Sequence, residues 1–530
     1  MIPRKFMLGA VIVCLIFALG AWRQIRRGIA AGSDRTELRL AHVTIHPAVI
    51  AMYDEAIRRY EELHPDVKIV QAPVPLKLWT SWQKTNLLGA IPPSIMAMDR
   101  GLSDEELARY FEPLDAWLEQ PNPYNRGTVF ENTPWRDTFR DGLTSIPAFR
   151  PSLQRVYGIP QTVSTIRVFA NRALLVDVTG SDRVPETFDE FIALGEAVKA
   201  YAARTGQPLI MIAASETHCR HLMHRYFVAQ TQRLAMGFDH LHRLSTDAQE
   251  AALAYLRGDW SWTDPAPQSG LELMRTLGGY TSPGFLQMER EEGIFYFNQQ
   301  RALLLATGSW EADSVLRDCD FPVVIFPVPL PVAGDHGFGE YVLGPVSESG
   351  LSPGDTLGVP KGTGNVERAV DFLRFLTSRA TAAMAMETSR RLSSVADLDT
   401  PPELAPFQPG SEGYPMGFTP DFLAFGGSFT NRYYRVQLHE LFRPEGSASR
   451  FGRDLNPGFA ASLRRDLNQV RRKNHDQQRL SDSLTLSEFL GSTDPDALSD
   501  QAWRLWEAQT VLELDRIRID RALARDPQSP

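Results

Sequence analysis

The sequence predicts an α/β protein of more than one domain, with a helical extension at its C-terminal end. Three observations predict this. At 530 residues the chain exceeds what one hydrophobic core organises. Its first part runs strand, helix, strand. Glu37–Val43 alternates, Ile50, Tyr53, Ile57 and Tyr60 keep helical spacing until His64-Pro65 stops the helix, and Val67–Val70 reads as a second strand. Farther on, Phe295-Tyr-Phe-Asn-Gln-Gln-Arg-Ala-Leu-Leu-Leu-Ala-Thr-Gly-Ser-Trp310 sets the apolar block Ala302–Ala306 just before Gly308, Ser309 and Trp310. A buried strand that stops at a glycine and presents an aromatic from its end is how an α/β protein floors a ligand crevice.

Composition narrows the function. An apolar content of 43% with 22% charged residues is that of an ordinary globular protein, and a net charge of −9 argues against a nucleic-acid partner, which needs a basic face. The 10 tryptophans and 14 tyrosines can stack on the C–H faces of pyranose rings, and they can equally fill cores. Of three cysteines, Cys14 sits in the leader, which leaves only Cys219 and Cys319 to pair, if any pair. There is no G-x-S-x-G, no phosphate-binding loop of the Walker type and no H-E-x-x-H, so no catalytic residue and no cofactor are assigned.

At the N-terminus, Arg4 and Lys5 precede an uncharged run from Phe6 to Trp22, followed by Arg23, Arg26 and Arg27. The run is long for a signal-peptide core and short for a membrane span. Ala30-Ala31-Gly32 offers a cleavage site, so residues 1–33 read either as a signal peptide or as a signal anchor. Val13 ahead of Cys14 rules out a lipoprotein cysteine. Either way the body is exported, to the periplasm or another extracytoplasmic space, free or tethered to the outer face of the cytoplasmic membrane.

Several short motifs stand in one order between residues 37 and 470: Glu61-Glu-Leu-His-Pro-Asp-Val-Lys-Ile69, Ala90-Ile-Pro-Pro-Ser94, Tyr157-Gly-Ile-Pro160, Pro185-Glu-Thr-Phe-Asp-Glu-Phe191, the stretch ending in Trp310, Val323–Leu330 with its Pro-Val-Pro-Leu, and Ala369-Val-Asp-Phe-Leu-Arg-Phe-Leu-Thr-Ser378. In these the chain resembles the family 1 extracellular solute-binding proteins, the maltose-binding-protein-like sugar receptors of ABC importers. The resemblance implies a two-lobed, periplasmic-binding-protein-like fold with interdomain crossovers. It divides the chain into lobe 1 (34–165), lobe 2 (166–325), a return to lobe 1 (326–378), a helical completion of lobe 2 (379–480) and a C-terminal extension (481–530).

The same resemblance supplies candidate ligand-binding residues. They are Thr44 and His46 after the first strand, Trp79 on the next helix, and Asp99 at the end of Ile95–Met98. Asp99 is alternatively a cap for the helix that follows. Gln161 and Thr162 lie on the first crossover. Glu216, His218 and His221 follow the strand Leu209–Ala214. Ser309 and Trp310 end the organising stretch, and Trp310 lies flat under a sugar in the family. Tyr341 belongs to a wall where Gly339-Glu340-Tyr341 departs from the family's glycine-rich pattern. Tyr433 and Tyr434 are alternatives for a second stacking aromatic. The partners implied are a carbohydrate and the membrane subunits of an ABC permease, with the membrane itself if the leader is kept.

Local physics adds detail. His218, His221 and His224 step by about −60° each on a helix, fanning out instead of converging, so no metal site is expected. Thr187 and Glu190 form a capping box. Residues 119–155, rich in Pro, Asn and Arg, read as an insertion or lid, and Gly258-Asp-Trp260-Ser-Trp262 reads as a surface loop or part of an aromatic cleft. Gln501–Ala524 reads as one amphipathic helix, acidic early and arginine-rich late, that packs on the body or mediates association. A binding protein is the leading expectation. The alternatives are an exported glycoside hydrolase, which needs two carboxylates about 5–10 Å apart, and a tethered scaffold without ligand.

Overall fold

The computed structural model describes residues 35–524 apart from 45–46, 90–91, 99–101, 146–147, 151–152, 240–245, 247, 350–351, 421–427 and 492. The expectations for the leader, His46 and Asp99 therefore lie outside the described residues. Among the described residues no helix is long and apolar enough to cross a membrane.

In chain order the elements that shape the molecule are β1 (Thr36–Thr44), α1 (Pro47–Leu63), β2 (Val67–Pro75), α2 (Leu76–Leu88), β3 (Ile95–Ala97), β4 (Thr162–Ser164), β5 (Ile166–Asn171), α3 (Phe188–Thr205), β6 (Ile210–Ala213), α4 (Glu216–Gln230) and α5 (Ala248–Arg257). They continue with α6 (Pro265–Gly278), α7 (Arg290–Asn298), β7 (Ala302–Gly308), β8 (Val323–Pro327), β9 (Ser352–Gly354), β10 (Leu357–Gly358), α8 (Val366–Leu376), α9 (Arg379–Ser389), β11 (Leu392–Ser393), α10 (Phe429–Gln437), α11 (Ala448–Gly491) and α12 (Pro495–Ala524).

Two four-stranded sheets define two lobes. The first has the order β10-β3-β1-β2, with β1 parallel to both neighbours. The second has the order β8-β5-β7-β6, with β6 and β7 parallel and the other pairings antiparallel. A third, small sheet lies between them: β4 is flanked by β9 and β11, antiparallel to both. β4 runs straight into β5 of the second sheet, while β9 runs straight into β10 of the first. These passes are the interdomain crossovers of a two-lobed fold.

Each lobe has its own core. Around the first sheet, Leu38, Leu40, Ile57, Tyr60, Ile95, Phe372 and Leu373 are buried together. The apolar face of α8 (Val370, Leu373, Leu376) closes it, as the helical spacing requires. Phe130, Trp135 and Phe139 of the 119–155 stretch sink into this core, so that stretch packs as a clasp on the lobe and is not a lid. Ala382, Met384 and Val395 join it as well, past the expected return boundary at 378. In the second lobe α3 starts as expected: the Thr187 hydroxyl accepts from the Glu190 N–H while the Glu190 carboxylate reaches back to the Thr187 N–H.

The aromatic surplus is spent largely inside. Trp260 and Trp262 are buried in the second core, neither surface loop nor cleft, and the Trp262 ring stacks on Tyr434 at 5.8 Å and meets Phe459 edge-on at 5.2 Å. Cys219 and Cys319 are both free. The long α11 and α12 form an antiparallel hairpin whose base is held by Leu253, Leu467, Ile519 and Ala522. Trp262→Ala removes the indole at the centre of the aromatic cluster and is expected to cost about 3–5 kcal/mol, read by denaturant unfolding of the second lobe.

Candidate functional site

The carboxyl ends of β1 and β3 open onto a cavity of ≈ 330 Å3 between the two sheets. An open α/β sheet leaves its ligand crevice at this place, because backbone groups at strand ends are freed from pairing. His42, Val43, Ala97 and Met98 form the floor, Tyr53 of α1 and Trp79 of α2 the near wall, and Trp310, Asp355 and Arg391 the far side and back.

Asp355 organises the back of the cavity. Its Oδ2 accepts from Arg391 Nη1 at 2.6 Å and from Thr162 Oγ1 at 3.0 Å. Arg391 Nη2 also donates to the Trp310 carbonyl at 3.4 Å. One carboxylate thus joins the three crossing segments, and the guanidinium it fixes reaches the tryptophan. Asp355 has a φ of 48°, the left-handed region that aspartate tolerates better than most residues. The Arg391 side chain is 9% exposed and Asp355 26%, so the pair is dry enough for its geometry to be held firmly.

Two buried donors on the near wall lack a protein partner: the Tyr53 hydroxyl and the Trp79 Nε1. Burial, with the Asp355 charge adding to it, pushes the Tyr53 phenol well above its usual range, so it stays a protonated donor. Thr356 Oγ1, also on the cavity, is a third such atom; buried polar groups are nearly always paired, and orphans gathered around one cavity point to partners from outside the chain. Beside them, His42 Nε2 meets Gln71 Oε1 at 2.8 Å, and Gln71 Nε2 donates to Asp54 Oδ1 at 2.6 Å, which fixes the amide.

Trp310 is half-buried and held from behind. A Cβ on Gly308 would lie 2.2 Å from its ring, so only glycine lets the indole fold back over the end of β7. His221 contacts the ring edge-on at 5.3 Å. Burial lowers the imidazole pKa of His218 to about 4 and, with the neighbouring His218 adding to it, that of His221 to about 3.

The sequence candidates divide accordingly. Trp79 and Trp310 line the cavity. Thr44 ends β1 next to a lining residue without lining it, and Thr162 stands behind the cavity, holding Asp355. Gln161 turns back to the Ile159 carbonyl at 3.0 Å. Ser309 is buried, its hydroxyl accepting from the Thr165 N–H, and acts as a strut. His218 is buried against Ser215 instead of facing the cleft, since the inner face of α4 packs where Gly293 leaves room. Glu216 ion-pairs with Arg435 of α10 at 3.0 Å, on another face of the lobe. Tyr341 takes the Arg233 N–H on its carbonyl and does not line the cavity. Tyr433 packs on Gly458 of α11, and Tyr434 lies in the aromatic core, so neither supplies a second stacking ring at the cleft. The other indole at the cavity, Trp79, is 2% exposed with its ring stacked on Trp82 at 5.4 Å, so it presents an edge and no open face. Tyr53, Asp355 and Arg391 were missed. The one signal for Asp355 was its glycine-flanked turn, Pro353-Gly354-Asp355-Thr356, which occupies the wall assigned to Tyr341.

Two lobes joined by three crossings, with a cavity between them, make the architecture of a solute-binding protein. The family model for bacterial extracellular solute-binding proteins matches residues 108–406, more than half of the chain, and the chain belongs to that family, whose members bind solutes and are not enzymes. Among solved structures it is similar to a chitin oligosaccharide binding protein (18% identity, TM-score 0.55, covering 81% of this chain and 100% of that one). It is similar also to apo RafE from Streptococcus pneumoniae (16%, 0.55, 82% and 99%) and to the GacH receptor of Streptomyces glaucescens (15%, 0.55, 81% and 98%). At these identities the likeness is one of fold. No curated protein matches the chain.

Two predictions follow from this packing. Gly308→Ala is expected to push the Trp310 indole out of its seat, seen as a shifted Trp emission maximum and a changed near-ultraviolet circular dichroism band. As for pH, both imidazoles are neutral when folded and take up protons below about 6.5 once unfolded. The unfolded chain therefore binds more protons between pH 6.5 and about 4, and stability is expected to fall as pH drops through that window. A His218→Gln/His221→Gln double variant is expected to flatten that slope in thermal melts run across the same pH range.

Proposed function

We propose that this chain is the extracytoplasmic receptor of an ABC importer, capturing a carbohydrate (an oligosaccharide or related polyol) between its lobes and delivering it to a membrane permease. The observation that carries the reading is the cavity wall itself: the Trp310 indole beside the unpartnered Tyr53 and Trp79 donors and a fixed carboxylate–guanidinium pair. Sugars need this combination, an apolar C–H face for an aromatic ring and hydroxyls that both donate and accept. The Asp355 and Arg391 charges oppose each other, which favours a neutral polyhydroxylated ligand over an ionised one. Solved structures of the same fold support the reading: RafE was solved in complex with raffinose (16% identity, TM-score 0.52), and GacH in complex with acarbose.

In this reading Trp310 takes the ring face, and the buried Trp79 offers only its Nε1 edge. Tyr53, Trp79 Nε1, Asp355 and Arg391 take hydroxyls, with Thr44 at the end of β1 beside them. Thr162 acts through Asp355. The ligand touches both lobes only when they are closed, so binding shifts the population toward the closed form that a permease recognises. Residues 1–33 act as the export signal, cleaved or kept as a tether.

Isothermal titration against a panel of neutral oligosaccharides and polyols tests this. The expected result is saturable heat with one ligand class and no change in the sugar recovered afterwards. Trp310→Ala is expected to weaken that binding by about 10- to 100-fold, the range of a central aromatic contact. Hydrolysed sugar, or no heat from any member of the panel with the wild-type chain, overturns the proposal.

A further inference from the structure

The C-terminal hairpin carries a surface that ligand capture does not use. α12 buries Ala508, Leu512, Ile519 and Ala522 on its inner side, where it packs on α11 and α5. On its outer side Trp503 (59% exposed), Trp506 (56%), Leu514 and Ile517 face solvent, and the two indoles touch at 5.0 Å. At 100° per residue, Trp503, Trp506, Thr510, Leu514 and Ile517 fall within roughly 80° of arc, on the side opposite the buried stripe. A helix apolar on two opposite sides is built to be covered on both. Exposed tryptophans in pairs are the residues that anchor protein interfaces.

The pattern of the outer stripe says what covers it. The steps between its residues are three, four, four and three, the mean 3.5-residue spacing of a coiled-coil seam. The series reads the same from either end, with Thr510 at its centre. A second α12 running antiparallel across a twofold axis at Thr510 therefore meets its own spacing: Trp503 lies opposite the copy's Ile517, and Trp506 opposite its Leu514. Charge and dipole favour that direction. The N-terminal half carries Asp496, Asp500 and Glu507 against Arg504, while the C-terminal half brings Arg516, Arg518 and Arg521 beside Glu513, Asp515 and Asp520. The antiparallel arrangement sets the net-negative half against a half without net charge, where the parallel one would set it against itself, and it opposes the helix dipoles. The same acidic flank disfavours an anionic lipid surface, which attracts basic helices.

We infer that this face binds a second copy of the chain, giving a twofold-symmetric dimer joined by antiparallel α12 helices. The inference stands apart from the identity of the ligand. The test is disulfide trapping of the full chain in the cell fraction that holds it, with the unmodified chain as the baseline for Cys14, Cys219 and Cys319. Thr510→Cys, at the axis, is expected to give a covalent dimer on mild oxidation. Trp503→Cys and Ser483→Cys, away from the axis, are expected to stay at baseline. Adding Trp503→Ala and Trp506→Ala to Thr510→Cys is expected to cut the trapped dimer by about tenfold or more, with helical content by circular dichroism unchanged because both side chains lie outside the hairpin's packed face. A baseline yield from Thr510→Cys overturns the dimer. Self-linking through Trp503→Cys overturns the antiparallel arrangement, and capture of the face by another protein or by lipid vesicles, with no self-linking, overturns the choice of occupant.

Discussion

The molecule depends on one carboxylate. Asp355 sits on the second crossing, accepts from Thr162 on the first, and pairs with Arg391 at the start of the third. The strands that cross between the lobes are two and three residues long, so backbone pairing alone fixes them weakly. A charge-assisted bond inside a nearly dry site adds what short strands cannot, a fixed relation among three chain segments. Removing Asp355 would leave the buried Arg391 charge uncompensated, which is costlier than never having placed the pair there. Because Arg391 also holds the carbonyl of Trp310, the same contact that aligns the crossings aims the indole.

How much of this was legible depends on the range of the interactions involved. Features set by near neighbours could be read directly. The alternation of β1, the 3.6-residue spacing of α1 and α8, the Thr187–Glu190 box and the apolar block ending in Trp310 all lie within a turn or a strand of their cause. Thr162 was placed on the right crossing, though its role is to hold Asp355. Tyr53, Asp355 and Arg391 left little local trace, since a tyrosine at a buried helical position looks like core and only a fold separated by more than 300 residues turns its hydroxyl onto a cavity.

Aromatic residues misled for the converse reason. Trp260, Trp262, Tyr433 and Tyr434 have the chemistry of a sugar platform, but the helical part of the second lobe needs large rings to fill the space among α4, α6, α10 and α11. Burial, not residue type, separates the two uses. The histidines of α4 make the same point. His221 touches Trp310 and His218 does not, although the two sit one turn apart, because the helix turns one inward toward Gly293 and the other toward the end of β7.

A receptor of this design must bend without losing its register. Pairings of two or three residues flex at small cost, whereas the cores on either side, each closed by its own helices, do not deform. Under the proposed function, motion would be confined to the crossings, and the free energy of closure would be a local quantity that ligand contacts can outweigh. A ligand that lay only on the β1–β3 floor would bind both forms equally and shift nothing, however tightly it held. Trp310, carried by the opposite lobe, lines the same cavity, and under the proposed function its indole is the contact that would distinguish closed from open forms. In that proposal its seat over Gly308 and its tie to Arg391 belong to the closing mechanism as much as to the binding surface.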